Sequence, residues 1–245
     1  MFNGDIDVSS FKNLDGVYET LLIIGKKAFK NEKWKEYANF CFKREEGFRK
    51  EAFSHLDIFI KSFEKFSFKD KIDFVTFLFK HFEENTWGDR YSFPHPLREI
   101  LKDTLVDWCK LEKEDSNPFR WYGNFFNNSK CLVKALEINS SDDKSRASLI
   151  NRWLYSLEFS CHHLPECYIG DLNNDLILIE KIDKFINDFN NEMYKSSFKK
   201  EVDEFKEVIN NYQLWQKSGE PNIEEWSIKN QRKISFNIST YYYEK

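Results

Sequence analysis

Apolar residues recur every three or four positions along most of this chain, the spacing that lines one face of an α-helix. Val17, Leu21, Ile24 and Ala28 form a first stripe with Asp15 available to cap it, and Trp34, Tyr37, Ala38 and Cys41 form a second. Phe48, Ala52, Leu56, Phe59, Phe63 and Phe66 predict a third helix, parted from the second at Gly47. Phe74, Phe77, Leu78 and Phe82 predict a fourth that stops before Trp87-Gly88-Asp89.

Proline then punctuates the pattern. Pro94-His95-Pro96 opposes helix before it and suits the first turn of a helix after it, whose buried face reads Leu97, Leu101, Thr104, Leu105 and Trp108. Asp115-Ser116-Asn117-Pro118 supplies a stop, a cap and a new start for a short helix over 119–126, with another over 129–138. The polar turn Asn139-Ser140-Ser141-Asp142-Asp143 caps a helix carrying Ala147, Ile150, Leu154 and Leu157, which Leu164-Pro165 ends. Beyond a loop through Gly170, Leu176, Ile179, Ile182, Ile186 and Phe189 mark one helix and Phe198, Val202, Phe205, Ile209 and Tyr212 a longer one, closed by Ser218-Gly219-Glu220-Pro221.

Near the C-terminus the period changes to two. Ile234, Phe236 and Ile238 alternate with Ser235, Asn237 and Ser239, the pattern of a strand. Such a segment can pack on the helices as an extended tail or add to the sheet edge of another protein. The expected fold is therefore all-α, antiparallel helix pairs in an array or bundle, with a short extended C-terminal segment. One helical domain over 1–245 is expected, with 1–93 and 94–220 as its natural subdivision and 221–245 as a tail or strand.

Composition adds three constraints. The 245 residues include 25 Phe, 11 Tyr and 7 Trp but only 2 Met, so the core is aromatic. Phe is a mediocre helix former, so these helices must depend on packing. The net charge of -4 arises from basic and acidic residues that alternate; Lys199-Lys200, the densest basic spot of the C-terminal helices, is followed at once by Glu201, Asp203 and Glu204. Phosphate binding needs a localised cationic patch, so nucleic acid is not the expected partner. The five cysteines are scattered and odd in number, which points to reduced thiols in the cytoplasm. Met1 to Asp5 shows no secretory pattern, and the Leu21 to Ile24 run is far shorter than the roughly 20 apolar residues of a membrane span, so no membrane role is expected.

Candidate chemistry concentrates between Asn117 and Asp171. Cys161, His162, His163 and Cys167 are zinc-ligand types, but their spacing is neither C-x-x-C nor H-x-x-x-H, and adjacent histidines on a helix diverge. With Asp171 they would define a metal-dependent hydrolase, the alternative reading. His162-His163 with Asp171 resembles the metal phosphohydrolases built on helical bundles, although no His here is followed by Asp. With 8 Gly and no phosphate-loop spacing, nucleotide binding of the common kinds is not expected, and neither is any cofactor. Arg120, Trp121 and Tyr122, and a second cluster of Trp87, Arg90 and Tyr91, are instead the residue types that dominate protein interfaces. They join Ile234, Phe236 and Ile238 as candidate partner contacts.

Ala135-Leu136-Glu137-Ile138-Asn139, a polar turn, and Arg146-Ala147 opening a new helix resemble the second half of a tetratricopeptide repeat, with Ser140 where the repeat carries proline. The likeness spans about one repeat. Pro118-x-Arg120-Trp121-x-Gly123, this helix end and His162-His163-Leu164-Pro165, in that order, resemble a set of bacterial helical proteins. At the level of class the chain is similar to the cytosolic immunity proteins of bacterial toxin systems, which implies a stoichiometric protein partner, most concretely a toxin; a tetratricopeptide-like adaptor without a toxin partner is the further alternative.

Overall fold

The computed structural model describes residues 21–84 and 94–234, and the regular structure among them is entirely helical. After a helical stretch over residues 21–28 (α1) and a single 3-10 turn at Glu32–Trp34 come α2 (Lys35–Glu45), α3 (Arg49–Glu64), α4 (Phe68–Glu84), α5 (His95–Leu111) and α6 (Asn117–Phe125). These are followed by α7 (Ser129–Ile138), α8 (Asp143–Cys161), α9 (Leu172–Asn187), α10 (Glu192–Ser218) and α11 (Ile223–Asn230). Neighbours in sequence pack as pairs, as the apolar stripes predict. The chain divides after Phe126 into two compact units.

The first unit is built on aromatic rings. Tyr37 of α2, Phe59 and Phe63 of α3 and Phe74 of α4 are fully or almost fully buried, and their ring centroids approach to between 4.7 and 5.7 Å. Each such ring removes a large apolar area from water and gains from tilted or edge-on contact, which offsets the modest helix propensity of Phe. Gly47 terminates α2 with φ at +83°, a conformation open to glycine at little cost, and the Phe48 N–H donates back to the Lys43 carbonyl at 2.9 Å. The chain then reverses directly into α3. Leu97, Leu101, Leu105 and Trp108 of α5 face the same core, together with Trp121 of α6, while Arg98 Nη2 donates to the Phe125 carbonyl at 2.9 Å.

Side-chain caps define the second unit. Asn128, Asp142, Asp171, Asn191 and Asn222 each occupy the N-cap of α7 to α11 in turn and accept a backbone N–H of the first turn. Ile150, Leu154, Leu157 and Cys161 on α8 meet Ile179, Ile182 and Ile186 on α9 and Phe198, Val202, Phe205 and Ile209 on α10. The three helices thus share one core, and the stripes that predicted them are the stripes they bury.

The C-terminal segment is described only as far as Ile234, so the alternating pattern beyond it lies outside the described residues. No strand occurs among the described residues; after α11 the chain runs back irregularly, with Asn211 Nδ2 donating to the Lys233 carbonyl at 2.8 Å. Ile234 is buried against Ile223 and Trp226. It packs as a tail on its own helices and is not an exposed partner contact. Phe236 and Ile238, like Asp15 and Val17, lie outside the described residues.

Candidate functional site

Arg120 and Trp121 serve the interior. Arg120 Nε donates to Glu83 Oε1 at 2.7 Å and Nη2 to Glu83 Oε2 at 3.2 Å, with a further bond of 2.6 Å from Nη2 to Asn117 Oδ1. Both charged side chains are about one-tenth exposed, at 11% and 10%. This forked pair ties α6 to α4, and Glu83 lies too far off in sequence for the periodicity of either helix to reveal it. Trp121 is fully buried, stacked on Phe79 at 5.7 Å and tilted against Trp108 at 5.9 Å. Neither residue is therefore a surface contact for a partner, contrary to the expectation from residue type. Tyr122 is half-buried and stacks on Phe126 at 5.6 Å; Trp87, Arg90 and Tyr91 lie outside the described residues.

The Cys161 to Asp171 segment likewise resolves into separate roles. Cys161 sits in the core of the second unit, and burial pushes its thiol up to about 12, helped by the charge of Asp175 and opposed by a hydrogen bond with Tyr168. Tyr168 Oη donates to Asp175 Oδ2 at 2.6 Å and its ring stacks on Tyr212 at 5.0 Å; burial first, then that bond, holds its phenol well above the usual range. The Ile169 N–H closes the turn on the Ser160 carbonyl at 3.0 Å. Gly170 fits only because it lacks Cβ, which would overlap Ser160 Oγ and fall 2.5 Å from Asp175 Oδ2.

His162, His163 and Cys167 are exposed, outside that buried cluster. The His162 Nδ1–H donates to the Phe159 carbonyl at 2.7 Å, an unsatisfied acceptor at the C-terminal end of α8. Asp171 caps α9 by accepting the Asn174 N–H at 2.8 Å. The candidate ligands thus fail to converge, and among the described residues no three His, Cys, Asp or Glu side chains gather as a metal site. Cys161 lies in the core while His162, His163 and Cys167 are exposed, so these four ligand types do not share one point. Adjacent residues on a helix end face different ways, one inward and two out.

A different site lies on the second unit, between α8 and α10. A groove of about 400 Å³ is lined by Tyr155, Glu158 and His162 on one wall and Glu201, Glu204 and Phe205 on the other, with Leu154 at its base. Tyr155 is 70% exposed and the neighbouring Phe159 is 57% exposed, so a large apolar area meets water beside the groove. Partial burial, reinforced by Glu158 and then Glu204, raises the carboxyl of Glu201. Glu204 has a cation near it, Lys233 Nζ at 3.6 Å. Among the described residues Glu158 and Glu201 have no ion-pair partner. Residue type gave no warning of this site, because its members are ordinary in kind. The legible signal was Tyr155 and Phe159 one turn apart, off the stripe of Leu154, Leu157 and Cys161.

No described helix is long and apolar enough to cross a membrane. The chain matches no protein-family model, no curated protein and no solved structure.

Proposed function

We propose that this chain is a protein-binding helical module that holds one partner stoichiometrically, most concretely as a cytoplasmic immunity protein that neutralises a bacterial toxin. The observation that carries the reading is the exposed face of α8, where Tyr155 and Phe159 stand in water beside a groove walled by carboxylates. Large aromatic side chains exposed next to a concavity are the usual anchors of a protein interface, because they bury much area at little conformational cost. The rest of the scaffold supports recognition over chemistry: the cysteine and histidine candidates divide between core and solvent, and the raised thiol of Cys161 is a poor nucleophile.

Co-expression with the product of the adjacent reading frame tests the proposal. A complex of one chain to one partner should survive size-exclusion chromatography, and the partner's toxicity should fall in cells that carry both. Failure of any neighbouring product to co-purify counts against the module reading.

A further inference from the structure

Asp183 on α9 and Asp203 on α10 have cations beside them: Lys199 Nζ lies 2.9 Å from Asp183 and 2.7 Å from Asp203, and Lys206 adds a contact of 3.6 Å to Asp183. Glu158 and Glu201 line the groove as exposed side chains, have no ion pair among the described residues, and stand close enough that the charge of Glu158 raises the Glu201 carboxyl. Like charges held together across a partly enclosed groove work against folding, and a cation bound between them relieves that repulsion.

The shape of the groove limits which cation fits. A compact divalent ion needs several oxygen ligands converging on one point, and no such set of three gathers among the described residues. A guanidinium or ammonium on a long apolar stem suits the walls better: its charge bridges separated carboxylates while its stem and planar face lie on Tyr155 and Phe205. At about 400 Å³ the groove accepts one such side chain, and the exposed Phe159 extends the apolar surface for the backbone that carries it.

We propose that the groove between α8 and α10 is the docking site for a basic segment of a partner protein, one Arg or Lys side chain entering between Glu158 and Glu201 and packing on Tyr155. The inference rests on the protein-binding reading above and adds the chemistry of the partner and its point of entry.

The test uses the full chain and a fluorescent helical peptide with arginines one turn apart, compared with the same peptide carrying citrulline, which keeps the shape and removes the charge. Fluorescence anisotropy should show binding of the arginine peptide, weakened by added salt, and none of the citrulline peptide. The pair Glu158→Gln and Glu201→Gln, and separately Tyr155→Ala with Phe159→Ala, should each weaken binding about tenfold. The control pair Glu180→Gln with Glu207→Gln, the same charge change at exposed positions outside the groove, should stay within about twofold. Melting curves establish that each variant is folded. Equal weakening by groove and control pairs, or no binding of the arginine peptide, overturns the inference. A co-purified partner that ignores the groove substitutions would leave the module reading standing and remove only this site. Peptide binding without any partner would do the reverse.

Discussion

Gly170, Tyr168 and Asp175 show how closely one turn is specified. A methyl group at position 170 would meet Ser160 and Asp175, so Gly170→Ala forces the turn off α8 and is expected to cost about 1–3 kcal/mol. Tyr168→Phe leaves a buried carboxylate without its donor and is expected to cost a similar amount, about 1–3 kcal/mol. Urea unfolding measures both, and a loss near zero for either would mean that the turn is not packed as described. The buried thiols predict a pH effect. Burial lifts Cys41 and Cys161 from 9.0 to about 12, so the folded state keeps protons that the unfolded state releases. Their contribution is complete below about pH 9 and is lost as pH rises towards about 12, so stability should fall across that window. Thiol labelling of the native protein should reach exposed Cys167 before either of them. Of these details the sequence discloses only that Cys161 continues the Leu157 stripe. The partners of Gly170 and Tyr168 come from the fold of the turn, which no periodicity encodes.

Helices and their ends were largely legible, for two physical reasons. A helix that depends on packing must repeat its apolar face, so Leu97 to Trp108 and Phe198 to Ile209 announce themselves. Its first N–H groups need acceptors, so Asn or Asp stands before each helix of the second unit. Asn222→Ala removes the acceptor for the Glu224 and Glu225 N–H groups and is expected to cost about 1 kcal/mol. What the periodicity could not supply was the pairing between distant helices. Arg120 looks like an interface anchor by type, yet it is the α6 half of an internal clamp on Glu83 of α4. Arg120→Ala is therefore expected to destabilise the protein by about 3–5 kcal/mol, whereas a surface contact would lose next to nothing. A thermal melt distinguishes the two. Ile234, the first residue of the alternating segment, packs under α11, which needs only one apolar residue facing inward; the rest of that segment lies outside the described residues.

At the scale of the molecule, Trp121 and Cys161, which resemble site residues by type, became core, and ordinary residues line a groove whose Glu158 and Glu201 have no ion pair among the described residues. Glu201 is the sharpest case: it is exposed, and partial desolvation with the nearby charges of Glu158 and Glu204 raises its carboxyl, so its charge adds little to folding. Glu201→Gln should therefore leave the melting temperature unchanged or raise it while weakening partner binding, a separation that a purely structural residue would not produce. Hydroxyl-radical footprinting of the chain alone and in its co-purified complex tests the recognition account most directly. Oxidation of Tyr155 and Phe159 is expected to fall sharply in the complex while that of half-buried Tyr122 stays constant; unchanged oxidation of Tyr155 and Phe159 in a stoichiometric complex would contradict it.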